Sequence, residues 1–143
     1  MTKKDINYYE SKLRLNINRI KEELTTQAVM YYEVCSKQIE IRINLDQINN
    51  DLDNLKSNLT IDFRNLKPKP TADEIKAKIG LNEYVIKMSD EILKIKADYE
   101  RWTALRNAYE QRKSTLIKLS ELMKDIILND TNTIKKLNKI SPK

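Results

Sequence analysis

The sequence predicts an all-α protein of long amphipathic helices with coiled-coil-like seams, folded as an antiparallel helical hairpin and oligomeric. Three observations carry this expectation. Leu81, Val85, Met88, Ile92, Ile95, Tyr99 and Trp102 fall alternately four and three residues apart, the a/d rhythm of a helix with an apolar seam. The 143 residues include 1 Gly and 3 Pro, with 34% charged residues where about 25% is usual, which favours extended helices over a mixed fold. Between two such seams stands Lys67-Pro68-Lys69-Pro70, where the chain has to turn.

The first helix is expected over residues 4–24, with Ile6, Tyr9, Leu13, Ile17, Ile20 and Leu24 on one stripe and Lys12, Arg14, Arg19 and Lys21 on the polar side. Thr25 and Thr26 mark either a bend or a β-branched passage within a longer helix. A second helix follows over 27–59. It opens with Val29, Met30, Tyr31, Tyr32, Val34 and Cys35, wider than one stripe and expected to form the protomer core. It then narrows to Ile41, Leu45, Ile48, Leu52, Leu55 and Leu59, flanked by Asp46, Asp51 and Asp53, a face that like-charged DNA would avoid.

The bend is expected at about 60–71. Thr71 with Glu74 three residues on is a capping box that opens a short helix through Ile75 and Ile79. Gly80 either ends that helix or is absorbed into the next at a cost of about 1 kcal/mol. From Leu81 to Ile127 no Pro or Gly intervenes, so one helix of roughly 45 residues is the economical reading. Leu105 follows Trp102 at three, not four, after which Tyr109, Arg112, Leu116, Leu119, Met123 and Ile126 resume the alternation. That defect is a stammer, which overwinds a coiled coil or marks a change of partner. A rod cannot bury its own seam, so Met88, Ile92, Ile95, Tyr99 and Trp102 are expected to form an oligomer seam. Residues 1–130 are thus read as a single helical oligomerising domain, and 131–143 as a basic, flexible tail.

Charge and residue usage narrow the function classes. The net charge of +6 suits an anionic partner. Four of those charges, Lys135, Lys136, Lys139 and Lys143, follow Asp130 with no acid among them, which serves either solvation or anion binding. A single Cys35 closes no intrachain disulfide, and without histidine no Cys/His metal cluster, Ser-His-Asp triad or Cys-His dyad can form. Cys35 lies among apolar residues and is expected to be a buried structural thiol. One glycine excludes a phosphate-cradling Gly-rich loop, and the carboxylates are spread at solvating spacings. Neither an enzyme, a cofactor nor a metal is expected. No apolar run approaches about 18 residues and the N-terminus has no apolar core, so neither a membrane span nor a cleaved signal is expected. A reducing, cytoplasmic location fits best.

Two constellations suit nucleic acid. Arg64, Lys67, Lys69, Lys76 and Lys78 gather at the bend, where solvation is the competing account. Tyr99, Arg101, Trp102, Arg106, Tyr109, Arg112 and Lys113 interleave rings with cations, as single-strand binders do. The rings also lie in register with the aliphatic seam, which favours packing over base stacking.

The stretch 90–102, DEILKIKADYERW, and Val29-Met30 followed by Tyr32 resemble the UvsY-type phage recombination mediators, loosely over about 27–127. That family's DNA-contacting run reads Leu-Lys-Ala-Arg-Leu-Asp-Tyr-Tyr. Here Leu55-Lys56-Ser57-Asn58-Leu59 keeps the lysine, has Asn58 where the family has arginine, and lacks the aromatic pair, with Phe63 only nearby. The resemblance implies an oligomer in a phage-infected bacterial host cell. Such a protein binds single-stranded DNA and assists loading of a RecA-like recombinase onto DNA covered by single-strand-binding protein. Lys56, Arg64, Lys67, Lys69, Lys76 and Lys78 are then the expected DNA contacts. The alternative is a structural or adaptor coiled-coil protein that ignores nucleic acid.

Overall fold

A computed structural model describes residues 4–140. The chain is all-α. Its two long helices pack antiparallel as a hairpin. In order the elements are α1 (Ile6–Ser11), a 3₁₀ turn (Ile17–Arg19), α2 (Ile20–Arg64), α3 (Ala72–Gly80) and α4 (Glu83–Ile140). The chain forms two compact units. One comprises Met1–Val34 with Leu105–Lys143, the other Cys35–Ala104. The boundary between Ala104 and Leu105 falls in the stammer, so the change of spacing after Trp102 coincides with a change of packing unit.

In the unit Cys35–Ala104, Leu45 and Leu52 of α2 and Val85 and Ile92 of α4 form the buried cluster. Ile48, Leu55, Leu59, Ile79, Met88 and Ile95 pack against it. The seam assigned above to contacts between subunits is therefore filled from within the chain. Met88, Ile92 and Ile95 meet α2, Trp102 is buried, and Tyr99 is half-buried. The long bend is the physical reason. Once α4 runs back along α2, two four-three seams of equal period cover each other without a second copy. Gln38 adds a polar tie, its Nε2 donating to Thr103 Oγ1 at 2.7 Å. Cys35 is half-buried, not fully enclosed as expected.

The unit Met1–Val34 with Leu105–Lys143 is centred on Tyr109, Leu116 and Val34, its most fully enclosed side chains. The helix expected over 4–24 is instead a short helix, an irregular passage at 12–16 and the start of α2. Asp5 caps α1 by accepting Tyr8 N–H at 3.1 Å, and Asn16 accepts Asn18 N–H at the same distance where the chain re-enters helix. The helix stops early because tertiary contacts hold it elsewhere. Tyr9 donates its hydroxyl to Glu33 Oε2 at 2.8 Å, and its carbonyl accepts the Tyr109 hydroxyl at 2.7 Å. Residue 33 lies about 20 Å along α2 from Ile20 at 1.5 Å per residue, so the chain reverses within 12–16 to dock α1 there. Thr25 and Thr26 do not break α2. Their hydroxyls donate back to the Lys21 and Glu22 carbonyls, which leaves the helix continuous. Val29 and Tyr32, read as core, are exposed.

A polar layer crosses this core. Arg112 donates to Glu23 Oε2 and to Gln27 Oε1, and Gln27 Nε2 donates to the Tyr109 carbonyl at 2.8 Å. The Arg112 side chain is only 3% exposed and Glu23 21%, so the pair is largely desolvated. Tyr31 adds a surface bond to Glu110 at 2.6 Å.

The expected capping box at Thr71 and Glu74 is present, each side chain bonded to the other's backbone N–H at 3.2 Å. Gly80 ends α3, and Asn82 starts the next helix by accepting from Tyr84 and Val85 N–H. The long helix thus begins at Glu83, not Leu81, and Leu81 is left 78% exposed. At the other end α4 runs on to Ile140, into the basic stretch that follows Asp130. Pro142 and Lys143 lie outside the described residues, as does the side chain of Lys139.

Candidate nucleic-acid interface

The bend carries a cleft of about 1110 Å³ within the unit Cys35–Ala104. Three helical faces and a linker build it. Lys56, Thr60 and Arg64 recur every four residues along the last turns of α2, one face of a helix. Lys69 and Pro70 come from the linker, Ala72, Ile75, Lys76 and Ile79 from α3, and Val85, Ile86, Ser89 and Asp90 from α4. The α2 face owes its direction to regular helix through this stretch, where Thr60 donates back to the Lys56 carbonyl at 2.7 Å without breaking it.

The floor is apolar and the rim cationic. Ile75 and Val85 are buried beneath it, with Ile79 half-buried beside them. Lys56, Arg64, Lys69 and Lys76 are exposed at the rim, four cations against the single carboxylate of Asp90. Thr60 and Ser89 supply hydroxyls. Gly80 also lines the cleft, and a methyl group placed there meets nothing within 4 Å. Such a rim attracts anions over a distance set by salt screening and binds phosphates or carboxylates by charge-assisted hydrogen bonds.

Of the six residues expected to contact DNA, the cleft brings together Lys56, Arg64, Lys69 and Lys76. It does not bring in the other two. Lys67 is exposed in the linker beside it, and Lys78 lies over the Phe63 ring with its ammonium 5.6 Å from the centroid. The α4 contributors Val85, Ile86, Ser89 and Asp90 were missed by sequence reasoning. Their signal was the helical spacing of Ile86 and Asp90, readable only once the start of α4 against α3 is known.

The interleaved rings and cations further along α4 make no platform for bases. Trp102 and Tyr109 are buried and Arg112 is held inside by Glu23 and Gln27. Burial pushes the Tyr109 phenol up to about 12, with the nearby Arg112 charge acting in the opposite direction. Tyr9 is raised further, first by burial and then by its hydrogen bond to Glu33. Both rings are structural donors at any ordinary pH.

Among the described residues no cluster of three or more Cys, Asp or Glu is placed to hold a metal ion, and no helix is long and apolar enough to cross a membrane. Compared with protein-family models, with curated proteins and with solved structures, the chain matches none of them.

Proposed function

We propose that this protein binds single-stranded DNA at the cleft of its helical bend and acts, without catalysis of its own, as a recombination mediator. The observation that carries the DNA reading is the convergence of Lys56, Arg64, Lys69 and Lys76 on one open cleft, from three elements separated in sequence. Four cations on one rim neutralise consecutive phosphates, and an apolar floor of Ile75, Ile79 and Val85 accepts the faces of bases without choosing among them. The mediator step rests on the resemblance of residues 90–102 and of Val29, Met30 and Tyr32 to the UvsY-type family. A mediator of this kind works by differential binding: it favours DNA arranged for a RecA-like recombinase over DNA held by single-strand-binding protein.

The absence of any aromatic ring from the residues lining the cleft favours a second reading, an adaptor that seats an acidic amphipathic helix of another protein. Salt titration separates the two. Single-stranded oligonucleotide binding should fall with a log–log slope of about −0.7 per neutralised phosphate, near −3 for four contacts. Changing Lys56, Arg64 and Lys69 together to Ala should weaken binding at low salt and bring the slope close to −1. If the triple variant keeps the affinity and the slope of the parent chain, DNA does not sit in this cleft. Loading is then scored with a RecA-like recombinase, single-strand-binding protein and DNA, using the recombinase's ATPase as readout. Relief of inhibition that saturates with added protein supports the mediator role, and DNA binding with no change in loading leaves a plain DNA-binding protein.

A further inference from the structure

The last stretch of α4 is an amphipathic helix that its own chain leaves uncovered. From 121 to 138 every described side chain is exposed, with Met123 at 39% and Ile127 at 61% bounding the apolar members of the face. The pairing of Arg112 with Glu23 explains why: α2 begins at Ile20, so in the antiparallel hairpin its cover of α4 ends about one turn past Arg112. At 100° per residue Leu122, Met123, Ile126, Ile127, Ile134 and Leu137 fall in a sector about 140° wide, the stripe of a helix that packs on another. Asp130 is the one charge inside that sector.

Charge along this stretch is polarised. Residues 121–130 carry the carboxylates of Glu121, Asp125 and Asp130 against one ammonium, Lys124, while 131–138 carry Lys135 and Lys136 and no carboxylate. We propose that this segment pairs with the same segment of a second copy, antiparallel across a two-fold axis. In that arrangement Asp125 on one flank of the stripe lies beside Lys136 on the same flank of the other copy, and the relation repeats by symmetry. A parallel pair sets acid beside acid and base beside base. An isologous contact of this kind closes as a dimer and needs no other surface of the molecule. Asp130, in the stripe, weakens the pair while disfavouring other registers, as a lone polar seam residue does in coiled coils. The inference stands apart from the DNA reading, because neither the cleft nor nucleic acid enters it.

The test uses the full chain without DNA, by analytical ultracentrifugation across a concentration series at low salt. The parent chain is expected to dimerise. D125K and K136E should each dissociate at least tenfold more readily, and the chain carrying both changes should regain the parent affinity. D130L should tighten the dimer at least tenfold, a gain that misfolding does not produce. A monomeric parent chain overturns the proposal. So do single reversals that leave association unchanged, the result for a parallel pair or for contact through another face, and a double variant that fails to recover while its circular dichroism stays helical.

Discussion

The polar layer around Arg112 allows the sharpest test of how the hairpin is held. Glu23→Ala removes the carboxylate bonded to a guanidinium that is 3% exposed, leaving it, among the described residues, with Gln27 Oε1. Breaking a fully buried pair costs about 3–5 kcal/mol, and Glu23 still reaches solvent at 21%, so the loss here should be about 2–3 kcal/mol. Arg112→Met should cost less, about 1 kcal/mol for the Gln27 oxygen left unmet, because the carboxylate it abandons sits at the edge of the layer and can hydrate. Glu23→Leu with Arg112→Met removes both charges and fills the space with apolar volume. The cost left is the unmet Gln27 oxygen, about 1 kcal/mol, so the double variant should be more stable than Glu23→Ala alone. Urea unfolding with a constant m-value reads all of these on one scale. The two sites should be coupled by at least about 1 kcal/mol in the cycle built with Glu23→Leu as the single change. If Glu23→Ala unfolds within about 0.5 kcal/mol of the parent, or if the two changes simply add, the layer is solvated and does not hold the helices in register.

Two further outcomes follow from the same geometry. Gly80→Ala should stabilise the protein by about 0.4–1 kcal/mol in urea unfolding, since Gly80 is helical, has no positive φ and faces open space, and a loss of stability would place a neighbour against it. Raised from 10.0 to about 12 by burial, Tyr109 binds its proton more tightly folded than unfolded, so its contribution is whole below pH 10 and is lost as pH rises towards 12. Tyr109→Phe should therefore flatten the fall of the urea midpoint above pH 10, and an unchanged slope would remove Tyr109 as its source.

The fold was legible in the sequence where periodicity and punctuation agree. Thr71 with Glu74 gave the cap of α3, the prolines gave the bend, and the four-three rhythm from Val85 to Trp102 gave the α4 seam. The N-terminal region was not legible from the stripe alone, because Ile6 to Leu24 reads as one helix until Tyr9 is seen bonded to Glu33 and Tyr109. Long-range contacts override a local pattern of that length. Four rim cations of the cleft stood out by charge, but its α4 wall did not, since Ser89 and Asp90 look like ordinary surface positions until α3 is placed beside them.

The seam also changes what association has to mean for this chain. Period alone does not distinguish a seam that meets another molecule from one that meets the same chain after a turn, because both require apolar residues four and three apart. Leu45 and Leu52 settle the matter for Val85 and Ile92, which they cover. Charge placed at Ile92 therefore strikes the fold of the unit Cys35–Ala104 before it strikes any assembly, and its cost is that of an unpaired charge in a packed interior. Association has to use surface that the hairpin leaves open. α4 offers such a surface in the stripe from Leu122 to Leu137, where apolar side chains persist at helical spacing after α2 has ended and where a reversal of charge leaves the hairpin core untouched.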